Sequence, residues 1–191
     1  MSAEAAVPPL VAAATARARQ AGFPMSSDPT VGQLLAVLAA HLPEDAQVLE
    51  LGTGTGVGTA WMVSGLLPRT DVTVTSVEKD PANAALAAAG DWPSFVRLRC
   101  GDALEVLAEG GAFDLIFADA PGGKWDGLDR TIAALRPHGL LIVDDMTPLP
   151  NWTDTHAAAQ DKVRQTLMSA PELTSMELTV GSGVILSARS A

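Results

Sequence analysis

The sequence predicts an α/β fold, a doubly wound and mostly parallel sheet that ends in a C-terminal antiparallel hairpin. Three observations carry this. From residue 46 onward, short apolar and β-branched runs alternate with helical stretches, as in parallel strands joined by crossover helices. The first such run, "AQVLEL" (46–51), ends in glycines and then gives way to a helix. Near the C-terminus, "LTSMELTV" and "VILSARS" are separated by "GSG", a hairpin signal.

The elements follow in order. Residues 1–43 read as helical, in two pieces broken around "GFPMSSDP" (22–29). Asp28, Pro29 and Thr30 supply helix-start chemistry before "VGQLLAVLAAHL", whose Val31, Leu34, Leu35 and Leu38 share one face. The α/β core then spans 46–191. "AQVLEL" leads to the helical "GTAWMVSGLL", and "DVTVTSV" (71–77) to "DPANAALAAAG", which starts on Asp-Pro and stops on glycine. "SFVRLRC" (94–100), the short helix "ALEVLAE", "AFDLIFA" (112–118), a helix near 125–135 and "LLIVD" (140–144) complete five strands. A helix near 155–169 precedes the hairpin. With no internal repeat and no low-complexity linker, residues 1–191 form one domain.

Composition narrows the function. Hydrophobic residues make up 48 % and charged residues 18 % of the 191, enough for a real core. The net charge is −10 with only 12 Lys plus Arg, which argues against broad contact with nucleic acid or an anionic membrane. A small-molecule acceptor suits this balance. Cys100 is the only cysteine, so no internal disulfide forms and a reducing, cytoplasmic setting is expected. The start, "MSAEAAVPPLVAAATARARQAGF", lacks a basic opening, carries Glu4 early and places Arg17 and Arg19 after its alanines, unlike a signal peptide. No apolar run reaches the ~18 residues of a membrane span.

In such sheets functional residues gather at the carboxyl ends of the strands. "VLELGTGTGVGTAW" places Gly52, Gly54, Gly56 and Gly58 between the first strand and its helix. Glycines there let the backbone turn sharply and approach a ligand, whose acceptor groups the helix N-terminus favours. The nicotinamide fingerprint G-x-G-x-x-G fails in every register, its third glycine falling on Val57, Thr59 or Trp61. Glu50, just before the loop, would repel a pyrophosphate but suits a ligand with a positive centre, such as the sulfonium of S-adenosylmethionine. Glu78 closes the second strand, where an acid accepts hydrogen bonds from ribose hydroxyls. After the third strand, Asp102 stands ready either to bond an adenine amino group or to cap the next helix.

"LELGTGTGVG", "SVEKD", "CGDALEVL", "FDLIFADA" and "LRPHGLLIVDD" together resemble the successive motifs of class I S-adenosylmethionine-dependent methyltransferases. Their spacing is most similar to the catechol and caffeoyl-CoA O-methyltransferase group. The resemblance covers about residues 25–146, including "MSSDPTVGQLL", and thins out in the C-terminal 45 or so residues. It implies a Rossmann-like fold, with a cofactor site of Met25, Glu50, Gly52, Thr53, Gly54, Gly56, Gly58, Glu78, Asp102, Ala103 and Asp119. It also implies methyl transfer to an oxygen of a small, phenolic or similar, acceptor, and a homodimer through the N-terminal helices.

Asp119 closes "FDLIFAD", and Asp144 and Asp145 close "LLIVDD". Neighbouring strands lie about 4.8 Å apart, so these ends converge on one crevice. Three carboxylates there invite a hard cation with oxygen ligands, Mg²⁺, Ca²⁺ or Mn²⁺. The resembled family places Asp at position 119 and an Asp-Asn pair at 144 and 145, so Asp145 adds a negative charge. Its lysine, the expected catalytic partner of Asp119, follows three residues after that aspartate; here Lys124 follows five residues on, across two glycines, expected as a flexible loop. His138 reads as a turn residue, and Trp152 and His156 as loop residues within reach of an acceptor. Two other readings stay open: methylation of a hydroxylated tRNA base, and a cofactor-binding module without turnover.

Overall fold

The computed structural model describes residues 7–191; residues 1–6, including the Glu4 used above, lie outside the described residues. Helices α1 (Pro9–Ala21) and α2 (Pro29–Ala40) open the chain. Asp28 caps α2 by accepting the Thr30 N–H at 2.7 Å, and Pro29 occupies the first turn, where no N–H is needed. The alternation then runs β1 (Gln47–Leu51), α3 (Val57–Leu66), β2 (Thr73–Glu78), α4 (Pro81–Ala88), β3 (Val96–Cys100) and α5 (Ala103–Ala108). It continues through β4 (Phe113–Ala118), the short turn α6 (Pro121–Lys124), α7 (Leu128–Ala133), β5 (Leu135–Val143), α8 (Asp154–Ser169), β6 (Leu173–Leu178) and β7 (Val184–Arg189).

The sheet order is β3-β2-β1-β4-β5-β7-β6. β1 to β5 pair in parallel, and β7 runs antiparallel to both β5 and β6. The expected hairpin is therefore present, with its second strand wedged beside β5. Side chains alternate across the sheet, so Leu49 and Leu51 join the core under α5, α7 and α8, while Val48 joins that under α2 and α3. Gly65 lets α3 approach α2, since a Cβ there would meet the Ala36 carbonyl oxygen at 2.1 Å. Among the described residues no helix is long and apolar enough to cross a membrane.

Two boundaries differ from the sequence reading. The helix expected near 125–135 is shorter, α7 ending at Ala133, because β5 already begins at Leu135. "RPHG" is absorbed as a bulge: pairing with β4 shifts register between Phe113 and Leu115, and His138 takes a left-handed φ of 65°. His138 is the turn residue it was expected to be. Order reverses between the adjacent β1 and β4, whose chains leave toward opposite faces; a crevice opens beyond their carboxyl ends.

Candidate active site

The crevice is a cavity of about 760 Å³, lined by the loops that follow β1, β2, β3, β4 and β5 and by the segment between α1 and α2. That size is ordinary for a small-molecule site. Of the residues singled out in the sequence, Met25, Gly52, Thr53, Gly54, Gly58, Glu78, Asp102, Ala103, Asp119, Lys124, Asp144 and Asp145 line it. Glu50 and Gly56 do not.

Strand alternation explains Glu50. Its side chain turns to the α3 face, is 1 % exposed, and receives hydrogen bonds from the Thr59 and Ser76 hydroxyls. Burial pushes this carboxyl up to about 7, against the pull of the two hydroxyls, and the nearby Glu78 charge adds to the rise. A Cβ on Gly58 would sit 2.4 Å from Glu50 Oε1, so that glycine makes room for the carboxylate under the start of α3. Ser76 also hydrogen-bonds Thr53, which links the buried acid to the glycine loop. The expectation that Glu50 meets a ligand's positive centre is thus corrected: it braces the loop from beneath. Gly56, at φ 92°, opens α3 and packs toward Trp92 instead of facing the cavity.

The loop itself is shaped for close approach. Gly52 has φ 103°, and its N–H and that of Thr53 both donate to the Val77 carbonyl at 2.9 and 3.1 Å. Glu78 accepts the Gly54 N–H at 2.7 Å and the Asp80 N–H at 2.9 Å, which fixes its carboxylate at the cavity wall. Phe23 lies against Gly54, and Met25, 71 % exposed, forms the rim above it. Asp102 does cap α5, accepting the Leu104 N–H at 2.8 Å, and its other oxygen pairs with Lys79 at 2.8 Å. Those two bonds hold its carboxyl below the usual range, the Lys79 contact contributing most.

At the other end stands Lys124, only 4 % exposed. The loop that carries it is not slack. The Gly123 N–H donates to the Asp126 carbonyl at 2.7 Å, and the Thr131 hydroxyl donates to the Gly123 carbonyl at 2.7 Å. Gly123 sits at φ 88°, where a Cβ would meet Leu51 Cδ1 at 2.3 Å. The flexible loop expected from "DAPGGK" is therefore a hydrogen-bonded turn. Burial lowers the Lys124 pKa, while the charges of Asp145, Asp119 and Asp144 oppose the fall. Burial likewise holds Asp119 well above the usual carboxylate range, reinforced by Asp144 and Asp145. Asp144 is also raised by burial, against hydrogen bonds from the Ser182 hydroxyl and the Asp145 N–H.

The three aspartates do not form the expected ligand set. Asp144 Oδ1 accepts both the Ser182 hydroxyl and the Asp145 N–H, while Asp145 is exposed on a left-handed backbone at φ 57°. Among the described residues, no group of three His, Cys, Asp or Glu side chains is placed to share a metal ion. The donor set does not fit a divalent cation.

Sequence reasoning missed Ser182, Gln160 and Trp125. Ser182 reaches Asp144 from the tip of the β6–β7 hairpin, where "GSG" read only as a turn. Gln160, fully buried on α8, accepts the Trp125 indole N–H at 3.1 Å and donates to the Asp145 carbonyl at 2.7 Å, joining the loops after β4 and β5. Trp125 and His156 both line the cavity, edge to face with ring centroids 4.9 Å apart, and Trp152 stacks on His156 at 4.5 Å without lining it. Of the two residues expected in a loop within reach of an acceptor, His156 does line the cavity, but from the first turn of α8, and Trp152 does not.

A fold with its glycine loop at the β1–β4 switch point, its acid after β2 and its buried lysine after β4 has known relatives. Residues 49–146 match the family model described as "Methyltransferase domain". A protein of Mycolicibacterium vanbaalenii named as an O-methyltransferase is 33 % identical over 94 % of this chain and 84 % of its own. The crystal structure of a protein from Klebsiella pneumoniae, also named as an O-methyltransferase, is 29 % identical with a TM-score of 0.82, covering 98 % of this chain and 92 % of that one. A cofactor-bound protein from MTB is 28 % identical with a TM-score of 0.83, covering 98 % and 93 %. The chain belongs to the methyltransferase-domain family, and its relatives place it among the O-methyltransferases.

Proposed function

We propose that this chain transfers a methyl group from S-adenosylmethionine to an oxygen of a small, neutral aromatic acceptor. The observation that carries this reading is the pairing, in one cavity, of a glycine loop and the fixed acid Glu78 beside it with a buried lysine. Gly52, Thr53 and Gly54 form a cradle without side-chain bulk, and Glu78 keeps lone pairs for ribose hydroxyls after accepting two backbone N–H groups. Asp102 and Ala103 lie alongside for the base, and the rim from Phe23 to Asp28 shields the cavity.

When bound, S-adenosylmethionine supplies a methyl group on a sulfonium, and the acceptor oxygen displaces sulfur, which keeps the electron pair of the broken C–S bond. Trp125 and His156 wall the acceptor end and favour a flat, apolar ring. Lys124 Nζ takes the hydroxyl proton: the O–H bond breaks as the N–H bond forms. One positive charge thus passes from sulfur to lysine, and Asp145, Asp119 and Asp144 stabilise it there. The protein's net charge of −10 favours such an acceptor over a nucleic acid.

Transfer of a labelled methyl group to a panel of phenols tests this. Lys124→Met should lower kcat by roughly 10²–10⁴-fold with S-adenosylmethionine binding little changed, as expected for loss of a positioned base. Glu78→Ala should instead weaken cofactor binding by roughly 10–100-fold, the worth of charge-assisted hydrogen bonds. Turnover by Lys124→Met equal to that of the parent would remove the assigned base.

A further inference from the structure

We propose that Lys124 takes the place of a divalent cation at the acceptor oxygen, so that methyl transfer by this chain needs no metal ion. The inference rests on the O-methyl-transfer reading above.

The first ground is the state of the carboxylates. Asp144 has one oxygen occupied twice over, by the Ser182 hydroxyl and by the Asp145 N–H at 2.7 Å. Asp145 stands exposed at the cavity wall on a left-handed backbone, and its carbonyl is held by Gln160 at 2.7 Å. Asp144 Oδ2 takes neither bond, but as the side chains stand, Asp119, Asp144 and Asp145 are not placed to share one ion. Hard cations demand several oxygens in one shell, and these side chains do not present it.

The turn that carries the lysine points the same way. The two extra residues between Asp119 and the lysine build a turn that sets Lys124 in the cavity wall, with Asp126 lining it two residues on. Gly123 supplies the left-handed φ of 88°, and Thr131 and Asp126 tie the turn down. The lysine is 4 % exposed and makes no ion pair among the described residues, yet the charges that bear on it are those of Asp145, Asp119 and Asp144. Acids otherwise free to neutralise a metal neutralise the lysine instead. The lone pair of the neutral amine takes the hydroxyl proton, and the ammonium so formed, with three N–H donors, then holds the acceptor oxygen where a cation otherwise would.

The full-length protein with S-adenosylhomocysteine is titrated with Mn²⁺ and followed by electron paramagnetic resonance. The expected result is a free-ion signal unchanged by protein, alike for parent and Asp144→Asn. Saturable, stoichiometric Mn²⁺ uptake that Asp144→Asn abolishes would overturn the proposal. In parallel, turnover is measured before and after exhaustive chelation. A rate within twofold supports the proposal; loss restored by Mg²⁺ or Mn²⁺ overturns it. The resonance arm needs no acceptor, so failure of the methyl-transfer reading is seen as absent turnover with the metal question still decided.

Discussion

Glu50 ionises only against its surroundings, because the carboxylate is buried and its two hydroxyl donors only partly offset the desolvation. Its folded-state value of about 7 lies above the ordinary 4.5, so the folded protein holds this proton more tightly than the unfolded chain. The resulting stability is fully present below the unfolded value and is lost as pH rises through the folded one. The difference corresponds to about 3 kcal/mol, or roughly 6–12 °C in melting temperature for a chain of this size. Asp119 adds in the same direction. Melting curves between acid and neutral pH should therefore show Tm falling for the parent and falling less for Glu50→Gln. Parallel curves would show that Glu50 does not titrate in this window. The sequence marked Glu50 as important through its place before the glycines. That it braces the loop instead of touching a ligand depends on which face of β1 it occupies, visible only once Val48 and Leu49 are assigned to opposite cores.

At the scale of elements, the turn from Pro121 to Lys124 decides where the lysine goes. Gly123 cannot be replaced without strain, since its φ is 88° and an added Cβ would meet Leu51. Gly122, at φ −70°, has room, with Ala103 Cβ at 3.4 Å from the position of an added Cβ. Gly123→Ala should cost about 1–3 kcal/mol and lower Tm by roughly 2–10 °C, and it should reduce kcat by moving Lys124. Gly122→Ala should leave both nearly unchanged; differential scanning calorimetry with steady-state rates compares them. Equal effects would mean that the turn does not hold the lysine. This turn was not legible beforehand. Two adjacent glycines read as slackness, whereas Thr131 and Asp126 make them a fixed bend. Ser182 and Gln160 escaped notice for a related reason: each meets its partner across a long stretch of chain, and local pattern carries no trace of that.

At the scale of the molecule, the fold was legible because short apolar runs alternate with longer helical stretches. β1 and β4 are buried along most of their length, as central parallel strands are, and each crossover delivers the next loop to the same end of the sheet. Position at a strand end was therefore enough to find Glu78, Asp102, Asp119 and Asp144. What remained hidden was the bulge at "RPHG", a distortion of pairing between β4 and β5 that a turn-like tetrapeptide disguises. The central claim is that the crevice between β1 and β4 accepts a sulfur-based methyl donor and not a phosphate-bearing nucleotide. Isothermal calorimetry with S-adenosylhomocysteine and with NADH, on the same protein, tests it most directly. The account predicts saturable heat from the first ligand, weakened by Glu78→Ala, and none from the second; tight NADH binding with no response to S-adenosylhomocysteine would contradict it.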